Sequence, residues 1–302
     1  MTPEDFRRHA HELVDWMADY MARVGELPVT PPVAPGDIRR RLPSSPPEAG
    51  EQFASLFQDF RDLIVPGMTH WNHPGWFAYF PGNNSPPSVL GEMLTATMGA
   101  QCMSWVTSPA ATELEQVVMD WLRQMVGLPA EFVGSIQDTA STATLVALLS
   151  AREHASKGVT GLQGMSGGPA LTVYASREAH SSVDKGVKLA GYGLERLRRI
   201  ATDAAFAMDP SALEREIERD LAAGLRPACV VASIGTTSST AVDPVAAADL
   251  RDPGHGIHRG GRSGADAGDH ACRPQSCREV SFDLPLQRGG VHRVRRVGSD
   301  PA

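Results

Sequence analysis

The chain has 302 residues, 42% of them hydrophobic and 21% charged, a make-up that excludes a disordered or fibrous protein. Its formal charge of −7 excludes nucleic acid as the main partner, and no apolar run approaches the ~20 residues that span a bilayer. The charged start MTPEDFRRHA is no signal-peptide core, and four cysteines (Cys102, Cys229, Cys272, Cys277) lack the spacing of a disulfide framework, so the expected compartment is a reducing cytoplasm.

In chain order, residues 2–24 predict an amphipathic helix. Thr2 can cap it, Pro3 suits its first position, and Glu4 and Asp5 favour the positive end of the helix dipole. Phe6, Ala10, Leu13, Met17, Tyr20, Met21 and Val24 recur at three- and four-residue steps as one apolar stripe. Seven prolines in 28–47 predict an extended connector, and 51–65 a second helix. The stretch WNHPGWFAYFPGNNSPP (71–87) is too rich in glycine and proline for a regular helix. Its aromatics either line an apolar pocket or plug a core. Helices follow at 88–100 and 109–127, the second ending on Gly127.

The stretch QDTASTATLVALLSARE (137–153) begins in small hydroxyl residues and continues in an apolar run. Asp138 or Thr139 can cap its first turn, and the helix, apolar nearly all round, is expected to be buried. A hydroxyl-decorated helix start of this kind is either an ordinary capped core helix or a phosphate site, because free amides and the dipole both favour an anion. Strands are expected at 171–175, 197–200 and 229–234, and helices at 182–190 and 209–222 with a further helix starting at 244–250. Alternating strands and helices imply an α/β fold with a mainly parallel sheet, whose ligands sit beyond the carboxyl ends of the strands. Three polar stretches, Thr139–Ser141, Arg177–Ser182 and Gly235–Thr237, fall at such strand ends or at the start of the 137–153 helix.

Seven ordered blocks resemble the group II pyridoxal-phosphate-dependent decarboxylases, nearest to the aromatic L-amino-acid decarboxylases. They are His73-Pro74 with FAYFP (77–81), SPAATELE (108–115), DWL (120–122), IQDTASTATLVALLSARE (136–153), EAHSSVDKGVKLAG (178–191), FAMDPSALEREIERDLAAGLRP (206–227) and ASIGTTSSTAVDP (232–244). The resemblance covers about residues 1–250. It implies a fold type I transferase-like large domain, here incomplete, in a homodimer whose N-terminal helices wrap the partner subunit. Residues 1–85 would then be the dimerisation segment, 86–250 part of the domain that binds pyridoxal 5′-phosphate, and 251–302 an aberrant tail.

By the same resemblance, Ala140 and Ser141 with the helix amides hold the cofactor phosphate. His180 stacks on the pyridine ring and is the one catalytic residue the matched blocks supply. Thr237 sits near the ring substituents, and Trp71, Tyr79, Phe80 and Pro81 line the pocket of an amino acid substrate. At 138–139 the family pattern is usually Gly-Ser, where this chain has Asp-Thr. An acid at the helix start repels a phosphate unless it points away.

Two expected segments do not follow. The family continues with a strand like HVDAAYAG, whose Asp pairs with the ring nitrogen, and with NPHKW, whose Lys forms the internal aldimine. After Leu250 the chain instead carries nine Arg, six acidic residues, nine Gly and no Lys. This reads either as a shifted reading frame of an Arg-coding, GC-rich gene or as a divergent segment. His255, His258, His270, Cys272 and Cys277 lack the paired CxxC spacing of a zinc site, so no metal is expected. The only lysines are Lys157, Lys185 and Lys188, none at the expected place. Three functions therefore stand: a decarboxylase of aromatic amino acids by descent, inactive in this chain; a non-catalytic dimerisation partner or dead fragment; or another fold type I activity, such as a glutamate decarboxylase or an aminotransferase.

Overall fold

A computed structural model describes residues 1–79, 84–130 and 132–245. Phe80, Pro81 and the whole stretch from residue 246 onward, including the tail and most of the helix expected at 244–250, lie outside them. The chain divides into two compact units, Met1–Leu94 and Thr95–Ala302, the second described as far as Val245.

The first unit opens with α1 (Pro3–Arg23), begun by a reciprocal capping box. Thr2 Oγ1 accepts from the Asp5 amide at 3.1 Å, and the Asp5 carboxylate accepts from the Thr2 amide at 3.3 Å. Most of the expected apolar stripe is covered: Val24, just past the helix, is buried, and Ala10, Leu13, Met17, Tyr20 and Met21 are half-buried. No α1 residue is buried, and Phe6 is 61% exposed. Trp16, which the stripe omitted, stacks on Tyr20 with centroids 5.4 Å apart and meets Phe60 edge-on at 5.1 Å. Tyr20 Oη lies 2.8 Å from Nδ1 of the buried His70.

The proline-rich connector holds a short helix, α2 (Asp37–Arg41). The second expected helix is α3 (Phe53–Asp59), which continues as a π turn (Phe60–Ile64) and a 3₁₀ turn (Val65–Gly67). Pro66 explains the change of winding: it has no N–H to give the Asp62 carbonyl four residues back. Arg41 Nη2 donates to that carbonyl at 3.2 Å instead. The next helix, α4 (Pro86–Met98), starts two residues earlier than expected, because Pro86 is tolerated in a first helical turn.

In the second unit α5 (Pro109–Met125) is followed by Gly127 at φ +70°, the expected left-handed residue after a helix end. Then come α6 (Ala140–Ala155), α7 (Val159–Gln163), β1 (Leu171–Ser176), α8 (Ser182–Leu189), β2 (Leu197–Ile200), α9 (Pro210–Ala222) and β3 (Arg226–Val231). The strands form a parallel sheet in the order β2-β1-β3, as the alternation of strands and helices predicts. Strand β3 runs three residues earlier than expected. Pro227 costs it one donor, and the apolar run beyond Val231 turns out to be loop.

All six residues of the central strand β1 are buried. Leu171, Val173 and Ala175 face α6 and α8, with Leu148, Val183 and Val187 in the same cluster. Tyr174 joins the opposite cluster with Met208, Leu213 and Ile217 of the α9 side. There Asp220, 2% exposed, receives a forked pair from Arg198 (Nη2 to Oδ1 2.7 Å, Nε to Oδ2 2.9 Å) and the Tyr174 hydroxyl at 2.8 Å. Burial pushes the Tyr174 phenol well above its usual range. Helix α6 is not buried all round: Ala143, Thr144, Leu148, Ala151 and Ala155 make one buried face, and the apolar residues between them are half-covered. Among the described residues no helix is long and apolar enough to cross a membrane.

Candidate functional site

The cap of α6 is Thr139, not Asp138. Its Oγ1 accepts from the Thr142 amide at 3.1 Å, and its carbonyl accepts from Ala143 at 2.9 Å. Those bonds use the third and fourth amides of the helix. The first two, on Ala140 and Ser141, have no partner among the described residues, and both residues are exposed. Two free amides, the Ser141 hydroxyl and the positive end of a 16-residue helix together make an anion grip. Asp138 is exposed immediately before it.

His180 stands two residues before α8. Its Nδ1 accepts from the Ser182 amide at 3.1 Å and its carbonyl from the Val183 amide at 3.0 Å, so the ring satisfies the first amide of the helix. Because Nδ1 is the acceptor, the neutral ring carries its proton on Nε2. The residue is exposed, so one ring face is open to a ligand.

The two helix starts are keyed together. Thr144 Oγ1, which also bonds the Ala140 carbonyl at 2.9 Å, lies 3.5 Å from Ser182 Oγ in the buried seam between α6 and α8. Gly186 makes that seam possible, since a Cβ there would stand 2.6 Å from Leu148 Cδ1. Helix α8 leaves the carboxyl end of β1, so the start of α6 lies at that same edge of the sheet.

The third stretch leaves the carboxyl end of the neighbouring strand β3. Gly235, at φ +83°, and Thr236 both donate to the Ala241 carbonyl at 3.0 Å, which folds 233–243 into a closed loop with Thr237 near its tip. Buried Thr236 bonds Ser239 at 2.6 Å and the Ala241 amide at 3.2 Å through its hydroxyl. Thus Ala140, Ser141, His180 and Thr237 all fall at one edge of the parallel sheet.

In the first unit Trp71, Trp76 and Tyr79 form a ring trio: Trp71 lies 5.0 Å from Trp76 and 6.0 Å from Tyr79 between centroids. Tyr79 adopts φ +57°. Sequence reasoning did not single out Trp76, the Thr144–Ser182 key or Asp243, a buried carboxylate behind the Gly235 loop. Trp76 had a signal in the aromatic stretch 71–87, and Asp243 in an acid between Val and Pro closing a run of small residues.

Pyridoxal phosphate can be tested against this site on the free groups it offers. The phosphate end fits, with two open amides and a hydroxyl, and the ring end fits an exposed imidazole beside them. A covalent anchor does not fit. Lys185 and Lys188 lie on the exposed side of α8, opposite Val183, Gly186 and Val187. Lys157 follows the far end of α6, about 24 Å from the grip at 1.5 Å per residue. No group of three or more potential metal-ligating side chains occurs among the described residues.

The pyridoxal-dependent decarboxylase conserved domain matches residues 35–251. The chain is 44% identical over 258 residues to the aromatic-L-amino-acid decarboxylase of Sus scrofa, covering 80% of this chain and 52% of that protein. It is 42% identical over 255 residues to the phenylacetaldehyde synthase of Arabidopsis thaliana, covering 82% of this chain and 51% of that one. Among solved structures, Catharanthus roseus tryptophan decarboxylase in complex with L-tryptophan superposes with a TM-score of 0.79 at 38% identity, over 85% of this chain and 56% of that one. Oryza sativa TDC with PLP and tryptamine gives 0.80 at 37%, over 86% and 57%. The chain spans about half the length of the curated relatives it matches.

Proposed function

This chain belongs to the pyridoxal-dependent decarboxylase family, and we propose that it carries the cofactor-gripping half of a decarboxylase of aromatic L-amino acids, binding pyridoxal phosphate without turning substrate over. The observation that carries this reading is the convergence of the open α6 amides, His180 and Thr237 at one sheet edge. Pyridoxal phosphate, when bound, supplies the electron sink that carboxylate loss from an amino acid requires.

The chain's own residues grip and orient. Ala140 and Ser141 take the phosphate on two amides and a hydroxyl. His180 offers a flat aromatic face, fixed in angle and tautomer by the Ser182 amide. Thr237 would lie near the ring substituents. With Lys157 past the far end of α6 and Lys185 and Lys188 on the exposed side of α8, the cofactor on this reading is held without a covalent link. The names of the relatives support an aromatic substrate, and the residues proposed to bind it are Trp71 and Tyr79, with Phe80 and Pro81 outside the described residues.

A homodimer is the expected assembly, and the cytoplasm the expected compartment. Phe6, uncovered at the start of the otherwise half-buried α1 stripe, favours a protein partner there and supports the second reading, a non-catalytic dimerisation partner. Titrating the purified polypeptide with pyridoxal phosphate, reducing with borohydride and mapping modified peptides tests the main reading. Saturable binding without one dominant modified lysine, and no amine formed from Phe, Tyr, Trp or Dopa, is expected. Turnover near that of the full-length relatives would overturn it.

A further inference from the structure

We infer that Asp243 is a positioning residue for this site, holding the Gly235–Thr237 loop so that Thr237 meets the cofactor ring. The inference rests on the cofactor reading above.

Asp243 is 1% exposed. Both of its carboxylate oxygens are engaged: Oδ2 accepts from the Ser233 amide and Oδ1 from the Met208 amide, each at 2.8 Å. Ser233 is the second residue past β3. Met208 lies in the segment that returns from β2 into α9. One side chain therefore ties together the chain segments that follow the two strands flanking β1. The Asp243 amide closes the neck of the loop on the Ser233 carbonyl at 2.8 Å. Beyond the neck, the paired Gly235 and Thr236 amides and the buried Thr236 hydroxyl leave Thr237 little freedom.

A buried carboxylate is a costly way to fill space. Two amide bonds partly offset its desolvation, yet burial still pushes its carboxyl up from the usual range, and Asp203, of the same sign, pushes it further the same way. An apolar residue would pack there more cheaply but could not tie two backbone amides. The carboxylate is therefore explained by the geometry it imposes on the loop.

The test is a double-mutant cycle on the full chain, using Asp243→Asn, Thr237→Val and both together, with pyridoxal phosphate, pyridoxal and inorganic phosphate as probes. Asn keeps one acceptor and turns an NH₂ toward the other amide. Asp243→Asn is expected to weaken pyridoxal and pyridoxal phosphate on the order of tenfold, the value of one such bond. Phosphate binding, which depends on Ala140 and Ser141, is expected to stay within about twofold. In the Thr237→Val background Asp243→Asn is expected to cause no further loss. Additive losses, an equal loss for inorganic phosphate, or no loss at all would each overturn the inference. If Asp243→Asn fails to fold, Thr236→Val replaces it in the cycle, since it breaks the same loop from within. Failure of the unsubstituted chain to bind any probe defeats the cofactor reading and this inference with it, whereas normal binding with an additive cycle defeats the inference alone.

Discussion

Gly186→Ala perturbs the seam that sets the two helix starts against each other. Two opposing effects decide its size. Alanine in place of glycine inside a helix is favourable by about 1 kcal/mol. Against this, the new methyl group would stand 2.6 Å from Leu148 Cδ1, while its next contacts, the Leu145 Cα and N at 3.8 and 3.9 Å, are ordinary. Leu148 is 1% exposed and cannot swing clear, so the clash costs what overpacking costs, about 1–3 kcal/mol. The expected net effect is a loss of about 1 kcal/mol, or roughly 2–4 °C in Tm for a chain of this size. Cofactor affinity should fall with it, because the first amide of α8, on Ser182, holds the His180 ring.

Leu148→Ala isolates the cause. Alone it costs about 2–5 kcal/mol, but it removes the atom the new methyl meets. In that background Gly186→Ala should turn stabilising by about 1 kcal/mol, the helix-propensity gain with no clash to oppose it. Urea titrations of the four chains, followed by far-UV circular dichroism, give the coupling. If Gly186→Ala stabilises the unsubstituted chain as much as it does the Leu148→Ala chain, the close approach is not what the glycine provides.

Three further outcomes are expected. Arg198→Ala leaves Asp220 buried with only the Tyr174 hydroxyl, and should destabilise by about 3–5 kcal/mol in a denaturant melt, far more than breaking the fully exposed Arg23–Glu26 pair. In the first unit, burial and then neighbouring His73 hold the His70 imidazole below its ordinary value, so the native state favours neutral His70. Its stabilising contribution is full above about pH 6.5 and falls as pH drops through the native value; melts read by tryptophan fluorescence should show this slope, and His70→Gln should remove it. Asp138→Gly removes a negative charge from the mouth of the phosphate grip, and should tighten pyridoxal phosphate about two- to fivefold, the worth of one charge at a helix start. Unchanged affinity would mean that the carboxylate points away.

Much of this protein is local in origin, and what is local was legible. The α1 cap, the α9 cap at Asp209 with Pro210 behind it, and the left-handed Gly127 each depend on a few adjacent residues. Strand β2 has its expected bounds, and the parallel sheet follows from the alternation of elements. What misled was a choice between equal local options. Asp138 and Thr139 are both good caps, and only the path of the chain into α6 selects Thr139. The apolar run after Val231 reads as strand, but it folds back as a loop because Asp243, ten residues on, captures the Ser233 amide.

The candidate site shows the same division. Sequence alone determined the chemical kinds present: a hydroxyl-rich helix start, a histidine before a helix, a Gly-Thr-Thr turn, and three lysines none of which is in the expected place. The expected parallel sheet already put the histidine and the Gly-Thr-Thr turn at carboxyl ends of strands, but only the tertiary structure decided that the hydroxyl-rich helix start joins them there. That convergence depends on contacts between residues 38 apart, Thr144 with Ser182, and on a glycine whose missing side chain matters because of a leucine on another helix. Such contacts follow no period along the chain, so no pattern in the chain announces them.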